Sequence, residues 1–177
     1  MTRERTGLNV ADEIGPMRRY ARALTRDAAL ADDLVQEALL RAIQAADGVR
    51  KGAPLRPWLL AIVHNCFVDA LRADRAESRR RDALATDGTV APSQEHAVRL
   101  GQVAEAFMAL PDEQRAALHL VTVEGLAYAE AAAVLDVPLG TLMSRLGRAR
   151  AALRAMEDAG DGARRLRLVR GGSDGTD

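Results

Sequence analysis

The amino-acid sequence predicts an all-α protein made of two small helical domains joined by a flexible linker. The chain is 48% hydrophobic but only 3% aromatic, so its apolar content is aliphatic and consists largely of helix-favouring Ala and Leu. Apolar residues recur at helical spacing in two separate stretches. A stretch rich in Gly, Pro, Ser and Thr lies between them, and a length of 177 residues suits two small domains.

Two helices are predicted between Asp12 and Ala46. Asp27 lies between their apolar stripes and is the expected N-cap of the second helix, because its carboxylate can accept a hydrogen bond from a free N–H of the first turn. The stripes are Ile14, Met17, Ala21 and Leu24, followed by Leu30, Leu34, Ala38, Leu39 and Ala42.

A loop and a long helix complete the first predicted domain, residues 12–81. The loop is DGVRKGAP, with two Gly and one Pro. Pro57 fits the first turn of the next helix, where its missing N–H costs nothing. That helix is predicted from Trp58 to about Arg80.

The second predicted domain, residues 99–156, follows a linker at 82–98 that has no helical periodicity. Pro111 followed by Asp112 and Glu113 marks a sharp helix start, since acidic residues in a first turn favour the helix dipole. The Gly-rich and charged tail at 157–177 is predicted to be flexible. From the end of the linker onward, the pattern predicts helices at roughly 96–109, 112–123, 127–135 and 138–156.

The segment AYAEAAAVLDVPLGTLMSRLGRAR at 127–150 predicts a helix-turn-helix. Small Ala residues allow its two helices to approach closely. Hydroxyl and guanidinium groups near the start of the second helix suit contacts with phosphates and base edges. An ordinary helical hairpin with a solvated basic face is the alternative. The predicted shared core is Val134, Leu135, Val137, Leu142 and Leu146, and the predicted DNA-facing residues are Thr141, Ser144, Arg145 and Arg148.

Charge neutrality, with 25 basic and 25 acidic residues, seems at odds with nucleic-acid binding. At the scale of single helices the balance differs. Segment 72–81 has five Arg against two acidic residues, and segment 141–156 has four Arg and no acidic residue. Two segments therefore carry a net positive charge although the charges of the whole chain sum to zero. Each segment is also compatible with a solvated helix face.

The long helix of the first domain carries a second candidate DNA-binding surface. Trp58 follows a Gly- and Pro-containing loop, where it can stack on an unpaired base or, more commonly, join a core. Asn65, Asp69, Arg72 and Arg75 are spaced i, i+4, i+7 and i+10, so they share one helix face. This polar stripe fits a DNA strand or solvent.

The second helix has a mixed outer face that suits a protein partner as well as solvent. Charged and apolar side chains alternate on it. Its members are Asp33, Gln36, Glu37, Leu40 and Arg41.

The sequence offers little support for an enzyme, a metal centre or a membrane protein. It has no Gly-rich phosphate loop or nucleophile elbow. The three His residues do not lie at metal-ligand spacing with the single Cys. We predict no cofactor, no metal, no catalytic residue and no membrane segment, hence a cytoplasmic protein.

Four segments together resemble the extracytoplasmic-function (ECF) sigma factors, the small two-domain promoter-specificity subunits of bacterial RNA polymerase. The resemblance covers roughly residues 12–156 and includes two departures: Met143 replaces a common Lys, and Asp136 replaces a common turn Gly. The segments are ADDLVQEALLRA, PWLLAIVHNCFVDALRADR, LPDEQRAALHL and YAEAAAVLDVPLGTLMSRLGRARAAL.

The resemblance implies three partners: core RNA polymerase, promoter DNA and an anti-sigma factor. It implies that the outer face of the second helix binds the clamp helices of the largest polymerase subunit, with the polymerase flap as a further contact. The loop at 47–57 and the Trp58 helix would melt the minus-ten element, and the helix-turn-helix would bind the minus-thirty-five element. ADDLVQEALLRA and LRLVRGGSD also resemble the alphaproteobacterial general-stress (EcfG-like) subgroup. A stand-alone helix-turn-helix regulator and a helical adaptor are the alternatives.

Overall fold

The structure, a computed structural model, describes residues 10–46, 54–82 and 100–169. Within these ranges it consists of helices and short connections, without a strand, which confirms the all-α prediction. The predicted linker beyond position 82 and the loop at 47–53 lie outside the described residues. A short 3₁₀ turn, Ala11–Glu13, precedes seven α-helices. They are α1 (Ile14–Thr25), α2 (Ala28–Ala45), α3 (Leu55–Asp82), α4 (Leu100–Ala109), α5 (Asp112–Thr122), α6 (Tyr128–Val134) and α7 (Leu139–Val169).

Local signals in the sequence explain where several helices begin. The Asp27 side chain accepts a hydrogen bond of 2.9 Å from the Leu30 backbone N–H and caps α2 as predicted. Pro111 precedes α5, whose first turn holds Asp112 and Glu113, also as predicted. Pro57 lies in the first turn of α3. The capping side chain and the two Pro residues therefore mark the starts of these helices, as the sequence predicts.

α7 runs to Val169, beyond the predicted end at 156 and into the segment predicted as a flexible tail. The reason is composition. Residues 150–169 are mainly Ala, Arg and Leu, which favour helix, and the two Gly residues in this stretch each cost only about 1 kcal/mol.

Helices α1, α2 and α3 form an N-terminal bundle, and α4 to α7 form a C-terminal bundle. Met17, Tyr20 and Leu59 are fully buried in the first, as are Leu142 and Leu146 in the second. The buried residues of the two bundles form one continuous hydrophobic cluster, because α1 packs on α5 and α3 packs on α6. The linker therefore connects two bundles that are in direct contact.

One predicted core residue is wrong. Leu30 was expected in the apolar stripe of α2, but its side chain is 58% exposed. It lies in the first turn of α2 and lines an open groove between α2 and α3. Periodicity places Leu30 on the inner face, but α3 does not cover this end of the helix.

Candidate nucleic-acid and polymerase interface

The predicted helix-turn-helix is present at α6 and α7. Asp136 joins the two helices with a left-handed φ of 50°, a conformation that Asp tolerates better than most residues. The Val137 N–H donates to the Ala132 carbonyl at 3.0 Å and the Asp136 N–H to the Ala133 carbonyl at 3.2 Å, which is a Schellman ending for α6. The turn therefore forms with Asp136 at the position where Gly is common.

The start of α7 has one buried face and one polar face. Leu142 and Leu146 are buried as predicted, whereas Thr141, Ser144 and Arg148 are exposed. The Arg148 Nη2 donates to the Ser144 Oγ at 2.9 Å. These three polar residues are thus available together at the surface of the second helix of the motif.

Arg145 is less exposed than the sequence predicts. Only 18% of its side chain is exposed, and its Nη2 lies 2.8 Å from an Oε atom of Glu113, at the start of α5. Arg145 also lies close enough to α3 to help lower the pKa of His64. The Nη2 donor of its guanidinium is therefore engaged by Glu113 in the structure.

The polar stripe of α3 is on the surface as predicted. Asn65, Asp69, Arg72 and Arg75 are all exposed. Asp69 accepts a hydrogen bond of 2.8 Å from Arg41, and Arg72 lies 3.8 Å from the same carboxylate. The shared face is confirmed, while its contact with DNA stays a prediction.

Trp58 lies at the start of α3 and is partly buried, packed against the hydrophobic core. Its neighbours Leu59 and Leu60 are fully buried. This arrangement fits the more common structural role of a lone Trp. Any role in capturing a base stays a prediction, because most of the adjoining loop lies outside the described residues.

The outer face of α2 combines exposed charges with exposed apolar side chains. Asp33, Gln36 and Glu37 are exposed, and Leu40 is 58% exposed. Arg41 donates to Glu37 at 2.9 Å and to Asp69 of α3 at 2.8 Å, and these two carboxylates raise the pKa of its guanidinium. Arg41 thereby links the predicted polymerase face to the predicted minus-ten face.

Comparison with protein families identifies the two bundles. Residues 10–77 match Sigma-70 region 2 and residues 100–153 match Sigma-70, region 4. The ECF RNA polymerase sigma factor EcfG of Rhodopseudomonas palustris is 38% identical over 146 residues, covering 79% of this chain and 78% of the relative. The chain belongs to the ECF sigma factor family. The prediction from sequence is confirmed, and a stand-alone helix-turn-helix regulator is set aside.

Other relatives of this sigma factor are similarly close. SigM of Mycobacterium tuberculosis is also 38% identical, over 77% of this chain and 69% of the relative. The structure of the sigma factor RpoE with the anti-sigma factor NepR from Bartonella quintana has a TM-score of 0.70 at 29% identity, covering 84% of this chain and 94% of that one. CnrH, solved with the cytosolic domain of CnrY, has a TM-score of 0.61 at 29% identity, covering 85% of each chain.

The structure also reveals surface residues of this sigma factor that the sequence analysis missed. Ile43 is 65% exposed and, like the mispredicted Leu30, extends the apolar part of the α2 face. The i, i+4 and i+7 spacing of Gln36, Leu40 and Ile43 was a signal for Ile43.

Within the described ranges, no group of His, Cys, Asp and Glu is arranged to hold a metal ion, and no helix is long and apolar enough to cross a membrane.

Proposed function

We propose that this sigma factor directs core RNA polymerase to a bipartite promoter and helps to open it, as a cytoplasmic protein without enzymatic activity of its own. One observation carries the proposal. A single chain presents two separate polar helix faces, one on the helix-turn-helix and one on α3, beside a mixed polar and apolar face on α2. We assign these functions to the predicted domains at 12–81 and 99–156.

The start of α7 is the proposed minus-thirty-five contact. Thr141, Ser144 and Arg148 supply hydroxyl and guanidinium donors on an exposed helix face, and Arg145 stands beside them. The N-terminal part of a recognition helix is the part that contacts base edges in a helix-turn-helix. Met143, which is 55% exposed, offers an apolar contact where a common Lys would offer a phosphate contact.

The face of α3 is the proposed minus-ten contact. Trp58, Asn65, Asp69, Arg72 and Arg75 belong to it. Taking a base out of the stack costs a few kcal/mol, so a small protein benefits from a large polymerase that supplies the sequence-independent grip on DNA. The exposed Arg72, with 75% of its side chain exposed, is well placed for a phosphate of the separated strand.

The outer face of α2 is the proposed contact with core polymerase, including the clamp helices of its largest subunit. Large apolar side chains that cluster at the surface commonly mark a protein interface. The adjoining groove is lined by the carboxylates of Asp33, Glu37, Asp69 and Asp74, with Arg41 among them. An acidic rim around apolar side chains suits a basic helical partner. We assign the flap contact to the C-terminal bundle.

We also propose that an anti-sigma factor restrains this protein. Two solved relatives, at 29% identity, are described as complexes with NepR and with the cytosolic domain of CnrY. The similarity to EcfG and to the NepR-bound factor supports membership of the general-stress subgroup.

In vitro transcription with core polymerase on genomic fragments tests the proposed function. We expect start sites that appear only when the sigma factor is added, each preceded by two shared sequence elements. Core polymerase alone is the control. Absence of both core binding and promoter-specific start sites would refute the proposal.

A further inference from the structure

Two large apolar side chains lie at the surface near the start of α7. Leu139 is 48% exposed and Met143 is 55% exposed. They are four residues apart, so they lie one above the other on the same side of the helix. Neither belongs to the hydrophobic cluster, which takes Leu142 and Leu146 from the same stretch of α7. This apolar pair therefore contributes little to the core of the C-terminal bundle.

Met143 borders the polar face that we assign to the minus-thirty-five element. Successive residues of a helix are about 100° apart around its axis. Leu142 is fully buried and points into the bundle, whereas Met143 and Ser144 are both exposed. Gly140 and Gly147 lie beside Met143, and the space where a side chain would stand at either Gly is open. Met143 is therefore not covered from these two positions and can be approached from outside.

The chemistry of Met143 differs from that of the polar residues around it. Thr141, Ser144 and Arg148 carry hydroxyl or guanidinium donors, and Arg148 Nη2 donates to Ser144 Oγ at 2.9 Å. A Met side chain has no charge and no hydrogen-bond donor, so it cannot neutralise a phosphate. Its flexible, polarizable thioether packs well against irregular apolar surfaces. The natural partner of Met143 on DNA is therefore an apolar group.

The principal apolar group in the major groove of DNA is the C5-methyl group of thymine. The N-terminal part of the second helix of a helix-turn-helix contacts base edges in that groove. We propose that Met143, with Leu139 beside it, contacts a thymine methyl group in the upstream promoter element and so selects a T–A pair at that position. The inference rests on the proposed role of α7 and adds a specificity-determining residue to it.

A Lys in place of Met143 would act in a different way. Its ammonium group would attract a phosphate whatever the base sequence. Each added phosphate contact steepens the dependence of binding on salt, by about 0.9 in the slope of log K against log salt concentration. Met143 therefore provides base selection at a position where a Lys would provide sequence-independent affinity.

Removal of the methyl group from the DNA tests this contact. The probe is the promoter fragment with the strongest start site in the transcription experiment. Each thymine of its upstream element is replaced in turn by deoxyuridine, which keeps the base pair and removes one methyl group. We expect at least one replacement to weaken binding of the wild-type holoenzyme about fourfold, the effect of one buried methyl group. The same replacement should leave binding of the Met143→Ala holoenzyme unchanged.

Met156→Ala is the matched control, because Met156 is an exposed Met of the same helix, with 39% exposure. It lies more than three turns beyond Met143, or about 20 Å at about 1.5 Å per residue, and this variant should respond to deoxyuridine as the wild type does. Met143→Lys should lose the response and steepen the salt dependence by about 0.9. Circular dichroism confirms that each variant remains helical.

The outcomes separate this inference from the proposed function. A methyl effect in the wild type and in Met156→Ala that is absent in Met143→Ala and Met143→Lys supports the inference. A methyl effect that persists in Met143→Ala, or no methyl effect in the wild type, overturns it. The proposed function then still stands if scrambling the upstream element weakens binding. Scrambling without any effect refutes the assignment of α7 to this element, and the inference with it.

Discussion

Individual side chains in this protein have environments that their sequence positions do not reveal. Arg145 was predicted to point outward with its neighbours, yet it is only 18% exposed and paired with Glu113. Position along the helix explains this, because residue 145 precedes the buried Leu146 and lies at the border of the buried face. The sequence predicts which face of α7 is polar but not which polar residue meets an acidic partner from α5.

Arg145→Ala tests whether this residue contacts a base. Loss of a bidentate base contact should cost about 1–3 kcal/mol in holoenzyme binding, at promoters with the intact upstream element only. Arg154→Ala, another exposed Arg further along α7, is the control. Filter binding of holoenzyme to matched promoters with an intact or scrambled upstream element measures the difference. Equal losses on every sequence would assign Arg145 to a phosphate instead.

The lowered pKa of His64 leads us to expect that the folded protein is less stable in acid. Burial, helped by the positive charge of Arg145, lowers its pKa from about 6.5 to about 4. Between these values the unfolded chain binds more protons than the folded chain, so stability falls as pH falls from 6.5 towards 4. We expect His64 to account for about 2 kcal/mol of destabilisation at pH 5.

Urea unfolding of the wild type and His64→Gln at pH 7.5 and pH 5 measures this contribution. The variant should lose less stability on acidification. His119, whose pKa burial also lowers, is expected to account for part of the loss that remains. An equal loss in both proteins would show that His64 is not the group that titrates.

At the scale of helices, the sequence predicts elements well where a single residue carries the signal. Asp27, Pro111 and Asp136 act on the backbone beside them, and the structure shows the cap, the helix start and the left-handed turn that they imply. Leu30 was mispredicted because periodicity describes one helix and not the helix that covers it. The length of α7 was underestimated because Gly weakens a helix without ending it.

The outer face of α2 leads to a prediction for the whole element. Asp33→Asn together with Glu37→Gln should weaken binding to core polymerase about threefold to tenfold, since exposed charges contribute modestly and mainly steer association. Helicity should be unchanged, because neither side chain caps a helix or fills the core. Fluorescence anisotropy with labelled sigma factor measures the affinity.

Glu105→Gln, which removes a charge from an exposed position in α4, is the control for this double variant. Its affinity for core polymerase should equal that of the wild type. Unchanged affinity in the double variant would remove Asp33 and Glu37 from the polymerase contact.

At the scale of the whole molecule, the sequence predicts two helical domains but not how they meet. Arg19 and Glu124 are 105 positions apart, and both have the appearance of ordinary surface charges in the sequence. Their pairing depends on the packing of α1 against α5, for which no local pattern exists. This contact between the bundles could therefore not be predicted from the sequence, although both residues belong to a helix or helix end that was predicted.

Overall charge predicts weak binding of duplex DNA by the free protein. With 25 basic and 25 acidic residues, the molecule as a whole releases few counterions on approach to DNA, so we expect a dissociation constant weaker than about 10 µM at physiological salt.

Electrophoretic mobility shift at about 0.15 M salt, with free protein and with holoenzyme on the same promoter fragment, measures this difference. Tight binding should require the polymerase, which supplies the phosphate contacts that the sigma factor lacks. Tight duplex binding by the isolated wild type would contradict the argument from charge.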